Sequence, residues 1–269
     1  MENKQEDSNN HIRKGNPMLA QLPPGKMYNF FIDDNVFFFT DIYKNKYKSI
    51  FDCFYLANLK KIHDEFGTLF TLNSFYHNHH QPDFDISLFP GTYKEEFAAN
   101  SSWLRFAFHG ESEFPGYPYF DAYPEKIAEH YAKWEKEMLR IVGKDSLVAP
   151  VIFHYYKATM ECKKFMREKG QKFLTIGESP HMLYLPEEDM YQLLADVILN
   201  LFKDDIDGIR NTLEAKAAAG QEKIMIGSHE QYSFPFYENY IPRYFDEIRA
   251  ACETMKKHGY KCVYFNEII

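Results

Sequence analysis

Five polar clusters in this sequence each follow a short apolar run, and their residue types suit metal-assisted or acid–base chemistry. The first is Asp33-Asp34-Asn35, directly after Phe30-Phe31-Ile32. Successive side chains of a strand point in different directions, so adjacent aspartates offer two jobs: one can bind a metal while its neighbour handles a proton. A solvated turn or a helix cap would use the same residues. His109 and Glu113 are four residues apart, a spacing that would put both on one face of a helical turn and let imidazole and carboxylate converge on a divalent ion. A third ligand from another strand would leave open positions for water or substrate. His77, His79 and His80 form a further cluster, readable as ligands, as substrate contacts or as a polar loop. His154-Tyr155-Tyr156 closes a fourth apolar run, and His229 closes a late one, placed as a general acid or a ligand. The loop beyond it, Tyr232 to Tyr237, is dense in aromatics and reads as a lid or a sugar-stacking surface.

Elements that position these clusters alternate in type along the chain. Strands are expected at Tyr28–Asp33, Thr68–Tyr76, Trp103–His109, Val148–His154, Phe173–Ile176, Lys223–Gly227 and Lys261–Phe265. Helices are expected near 47–66, 93–100, 123–142, 157–169, over an Ala-rich stretch ending at Gly220, and near 240–258, while 182–201 reads as either type. About seven strand–helix units predict a (β/α) barrel, distorted and TIM-like, with the ligand site beyond the carboxyl ends of parallel strands; an open doubly wound sheet would use the same parts. Residues 1–26 are polar, then rich in Pro and Gly, and read as a flexible N-terminal arm; residues 27–269 read as one domain.

Composition narrows the function. Hydrophobic residues are 45% of the 269, enough for one sizeable core. With 31 basic against 39 acidic residues, a phosphate-tracking surface is disfavoured, so no nucleic-acid partner is expected and a small molecule or a protein is. The four cysteines show no metal or disulfide spacing. No apolar run reaches the ~20 residues of a membrane span and no signal-peptide pattern opens the chain, so a cytoplasmic location is the expectation. Oligomeric state stays open.

At these residues the sequence resembles the polysaccharide-deacetylase-like (NodB-homology) superfamily, in divergent form, over about residues 28–269. Phe31-Ile32-Asp33-Asp34 looks like the first motif, T/S-F-D-D, which implies Asp33 as catalytic base and Asp34 as metal ligand. Phe108 to Glu113 is similar to the second motif, H-x-x-x-H, with Glu113 where the second histidine is expected. That implies a divalent ion, zinc foremost, on Asp34, His109 and Glu113. Ile226 to Glu230 sits where the last motif carries its histidine acid, implying that role for His229. The third motif, R-x-P-Y/F-G, has no counterpart, since Phe153-His154-Tyr155-Tyr156 stands there without the arginine that orients the base. The implied activity is metal-dependent hydrolysis of an N- or O-acetylated sugar or related amide, with His77, His79, His154 and Tyr232 on the substrate. Two alternatives are a metal-free glycoside-processing barrel using Asp33, Glu111 and Glu113 as paired carboxylates, and a silent carbohydrate-binding protein.

Overall fold

A computed structural model describes residues 16–149, 152–174, 182–193 and 195–268. Its strands are β1 (Met18–Leu19), β2 (Met27–Asn35), β3 (Phe70–Phe75), β4 (Leu104–Gly110), β5 (Phe173–Leu174), β6 (Leu183–Leu185), β7 (Met190–Gln192), β8 (Val197–Ile198), β9 (Lys223–His229) and β10 (Lys261–Cys262). Its α-helices are α1 (Phe37–Asn45), α2 (Phe54–Phe66), α3 (Lys94–Ala99), α4 (Pro124–Ile141), α5 (Met160–Glu168), α6 (Ile206–Ala218) and α7 (Tyr244–Lys257). The main sheet runs β4-β3-β2-β9-β8, with β10 pairing the start of β2, and every pairing in it is parallel. Long crossovers carrying helices join these strands, as parallel pairing demands. Among the described residues the strands do not close into an unbroken ring.

Strand β2 lies at the centre and is buried nearly throughout. Its side chains alternate: Phe30 and Ile32 join the large core under the helices, whereas Phe31 joins a smaller cluster with Met225, Val263 and Phe265 on the opposite face. Continuing that alternation puts Asp33 on the same face as Phe31. Opposite Phe31 in the ladder stands Gly227, where an added Cβ would lie 2.4 Å from the Phe31 ring and 2.8 Å from Ile198. The absent side chain is what lets the phenylalanine lie across β9.

Several expectations are corrected. The stretch between the first expected strand and the helix expected near 47–66, to which no helix was assigned, holds helix α1, and its Phe37, Phe38 and Phe39 are all buried. Helix 47–66 begins later, after a short 3-10 turn at Ile50–Asp52. Of the strand expected at 148–154, residues 150 and 151 lie outside the described residues; among the described ones, what adjoins β4 is a single bridge, Leu147 to Phe106, and His154 opens a 3-10 turn. Residues 175 and 176 of the expected fifth strand also lie outside the described residues. Phe173–Leu174 pairs with β7 in a separate sheet ordered β1-β6-β7-β5, and the ambiguous stretch 182–201 holds strands β6, β7 and β8, with Leu194 outside the described residues. Part of the expected arm belongs to that sheet, because β1 pairs antiparallel with β6; residues 1–15 lie outside the described residues.

Replacing Gly227 by Ala should overpack this contact and cost about 1–3 kcal/mol. Thermal unfolding checks it: a Tm equal to that of the unaltered protein would show that Phe31 moves aside freely.

Candidate metal centre and cleft

Two irregularities of the sheet build the site. Between Ile32 and Asn35, β2 carries one residue more than β3, so Asp33 and Asp34 together oppose Asn73, and Asp34 adopts a left-handed backbone with φ of 63°. Between Phe108 and Gly110, β4 carries one residue more than the matching step of β3, and the surplus residue is His109. Bulges of this kind re-aim side chains, which explains how two consecutive aspartates reach one cleft despite the alternation of a regular strand. Asn35 holds the first bulge: its Nδ2 donates to the Ile32 carbonyl at 2.6 Å and the Asn73 carbonyl at 3.1 Å, while its Oδ1 accepts from the Tyr55 hydroxyl at 2.9 Å.

Asp34, His109 and His154 form a buried group whose potential ligand atoms all lie within 4.8 Å of one another. Asp34 Oδ1 is 3.2 Å from His109 Nε2 and 3.5 Å from His154 Nδ1, yet no donor is aimed at it. The distal ring nitrogens explain this. His109 Nδ1 lies 3.2 Å from the Ile152 carbonyl and His154 Nε2 lies 2.8 Å from the Glu113 carbonyl. A carbonyl only accepts, so each ring donates there and its other nitrogen turns a lone pair inward. Two imidazole lone pairs, 3.2 Å apart, and a carboxylate oxygen thus converge without a proton to share. That donor set, fixed from behind by backbone, fits a divalent ion such as zinc.

The electrostatics agree for Asp34 and His154, whereas His109 holds a proton more readily than a free imidazole. Burial works to raise the Asp34 pKa, but His109, His229 and His154 outweigh it and hold it at about 2. Burial, then the neighbouring His109, pushes His154 down to about 4, so its ring is neutral and free to coordinate. For His109 burial opposes protonation, but Asp33 and Asp34 outweigh it and raise the pKa.

Glu113, expected as a ligand, is not in this group. The helical turn assumed between His109 and Glu113 does not form, since β4 runs through Gly110 and the chain then bends; the Glu113 carboxylate pairs with His80 instead, at the rim of the cleft. His154, expected on the substrate, takes the place in the group. His77 bonds the Pro82 carbonyl and His79 packs on Phe114, and neither lines the cleft. Glu111 is drawn away by His130 and Lys133, so it does not face Asp33. Asp33, His229 and Tyr232 do line the cleft, a space of about 420 Å³.

Three supporting residues escaped the sequence reading. Asn73 donates to Asp33 Oδ1 at 2.6 Å from a strand, β3, that is buried along its whole length. Asn200 Oδ1 lies 2.9 Å from His229 Nδ1, which leaves Nε2 in the cleft, 4.0 Å from Asp34 Oδ2. Glu230 is buried and accepts from the backbone N–H groups of Val36, Phe37 and Phe38 at 2.6, 2.7 and 2.7 Å, although α1 has no capping side chain of its own. A slightly larger cleft, about 460 Å³, lies against the second sheet, but its Arg167 and Asp189 pair with each other and, among the described residues, no group of potential ligands gathers there.

No family model matches the sequence, and no curated protein does. Solved structures do match in fold. A peptidoglycan N-acetylglucosamine deacetylase aligns with a TM-score of 0.55 at 12% identity over 92% of this chain and 90% of that one. A family 4 acetyl xylan esterase from Clostridium thermocellum aligns at 0.51 and 11% identity over 90% of each chain. A CE4 family pseudoenzyme from Bacillus anthracis aligns at 0.54 and 11% identity, over 91% of this chain and 66% of that one. The chain therefore has the distorted (β/α)-barrel fold of the CE4 polysaccharide deacetylases, at 11–12% sequence identity to these three.

His154→Ala and His109→Ala should each abolish binding of a divalent ion, measured by metal analysis after dialysis, whereas Glu113→Ala should retain it. Metal lost from Glu113→Ala and kept by His154→Ala would restore the Asp-His-Glu set. Protons compete with the ion for His109, so affinity should weaken as pH falls, beginning above the ordinary imidazole value of 6.5 because this pKa is raised.

Proposed function

We propose that the protein is a metal-dependent hydrolase that removes acetyl groups from a carbohydrate, with Asp34, His109 and His154 as the metal ligands. The observation that carries this reading is the convergence of two outward-anchored imidazoles and an undonated carboxylate oxygen beside a second, separately held carboxylate. A divalent ion held there would polarise an acyl carbonyl and make a bound water more acidic. Asp33 is the base that takes the water's proton. Asn73 fixes its carboxylate in the way an arginine does in the family pattern, but without a positive charge. His229, held through Nδ1 by Asn200, presents Nε2 to the cleft and protonates the departing nitrogen or oxygen. Tyr232 and Tyr237 line the wall beside it, apolar surface suited to a sugar ring.

A binding protein without turnover is the second reading. It is favoured by the missing arginine, since no arginine lines the cleft among the described residues, and a neighbour of the same fold is described as a pseudoenzyme. The metal-free glycosidase has less support, because Glu111 is engaged at the surface and Glu113 with His80.

Acetate release from N-acetylated and O-acetylated oligosaccharides, with and without added zinc, separates these readings. Zinc-dependent release is expected, and Asp33→Asn and His229→Ala should each lower kcat by ~100-fold or more with metal retained. Burial, then the charge of Asp34, raises the Asp33 pKa. The rate should therefore climb with pH as Asp33 ionises, over a range above that of an ordinary carboxylate. Full activity in both variants would remove them from the mechanism, and bound zinc without acetate release from any substrate would favour the binding protein.

A further inference from the structure

The cleft wall beside His229 is a short piece of chain fixed at both ends. Ile198 and Leu201 line the cleft, and between them the buried Asn200 holds the His229 ring. Upstream, β8 anchors this piece by pairing with Ile226 and Gly227 of β9. Downstream, the chain turns through Lys203 and Asp204, two successive left-handed backbones with φ of 51° and 71°. Neither is a glycine, so the turn is strained and must be held from outside. Helix α7 holds it: Glu247 Oε1 accepts the Asp204 N–H at 2.8 Å, and Asp204 Oδ1 accepts the Arg243 N–H at 3.1 Å. Packing does not account for Glu247. It is fully buried, its Oε2 has no hydrogen-bond partner among the described residues, and burial pushes its pKa up to about 7. A buried carboxyl with so few partners costs stability where an apolar residue of similar volume would not. What the apolar residue could not do is accept the Asp204 N–H.

We propose that Glu247 is a positioning residue for the cleft: by bracing the turn at Lys203 and Asp204 from α7, it sets Asn200 and, through Asn200, the ring of His229. This rests on the reading of His229 as the acid of the reaction. The sense of the hold follows from the hydrogen bonds. Asn200 Oδ1 accepts, so the neutral ring carries its proton on Nδ1 and turns Nε2 to the cleft. With the brace removed, the strained turn relaxes towards ordinary backbone angles and Asn200, close by in the chain, moves with it. His229 then loses the partner that fixes its tautomer.

Glu247→Leu, Glu247→Gln and Asn200→Ala, each in the full chain with zinc added, test the brace. The His229 tautomer is read at alkaline pH by nitrogen NMR of labelled histidine, its signal assigned by its loss in His229→Ala, and kcat is read from acetate release. The unaltered protein should show the Nδ1–H form. Glu247→Leu and Asn200→Ala should each lose that form and lower kcat by about 10-fold, the low end of the effect of groups that orient a functional histidine, with KM and zinc content kept. Glu247→Gln retains an accepting oxygen and should retain both the tautomer and the rate. Should Glu247→Leu fail to fold, Glu247→Met, unbranched like glutamate, replaces it; failure of both would mark the residue as structural and overturn the proposal. So would a His229 that keeps its Nδ1–H form in the apolar variant, or loses it equally in Glu247→Gln. The two readings are scored apart. Tautomer loss with unchanged kcat keeps the brace and removes His229 as the acid, and where no substrate yields acetate the hydrolase reading falls while the tautomer alone decides the brace.

Discussion

The carboxylate of Glu230 joins the two ends of the site. Three backbone N–H groups at the start of α1 point at it, across about 190 residues of chain, and they are the donors that a helix start otherwise leaves unsatisfied. Asp33 and Asp34 lie immediately before those donors and His229 immediately before that acceptor. Fixing one contact therefore fixes the spacing between the candidate base, the candidate ligand and the candidate acid. Burial pushes the Glu230 pKa up to about 8 despite these donors, which marks how much desolvation the clamp must offset.

With this turn held, the bulges decide which residues meet. A regular β2 would send Asp33 and Asp34 to opposite faces, and a regular β4 would keep His109 in register with β3. The surplus residues bring both inward, where His154 arrives from the 3-10 turn that it opens. The resulting donor set carries one formal negative charge where an Asp-His-Glu set would carry two. A divalent ion there would keep more of its Lewis acidity, which suits hydrolysis better than the arrangement the sequence suggested.

Much of this was legible beforehand, and the failures share a cause. The strand and helix alternation, the central strand with its paired aspartates and the cleft positions of His109 and His229 all follow from patterns local to a few residues. Glu113 was misread because its spacing from His109 was interpreted as helical, whereas β4 continues past His109 and swings the carboxylate to His80. Helix α1 was missed because Phe37, Phe38 and Phe39 are buried all round, which erases the amphipathic period, and because its cap comes from Glu230 rather than from a neighbouring residue. Asn35, Asn73 and Asn200 act through contacts with residues far away in sequence, which no window of sequence displays. His154 was visible as a polar residue closing an apolar run, but its partners become apparent only once β2 and β4 are side by side.

The central place of β2 also bears on how the chain is made. Its longest ladder is with β9, and the helix that follows it waits for Glu230, so the segment from Phe30 to Phe39 has no complete partner until the last third of the chain exists. At ribosomal rates of about 5–20 residues per second, that interval is roughly 10–40 s. During it, one of the most apolar stretches of the protein carries unpaired backbone and exposed phenylalanines. That stretch is open to misassociation in the nascent chain, and the two aspartates of the cleft are the only charges interrupting it while it waits.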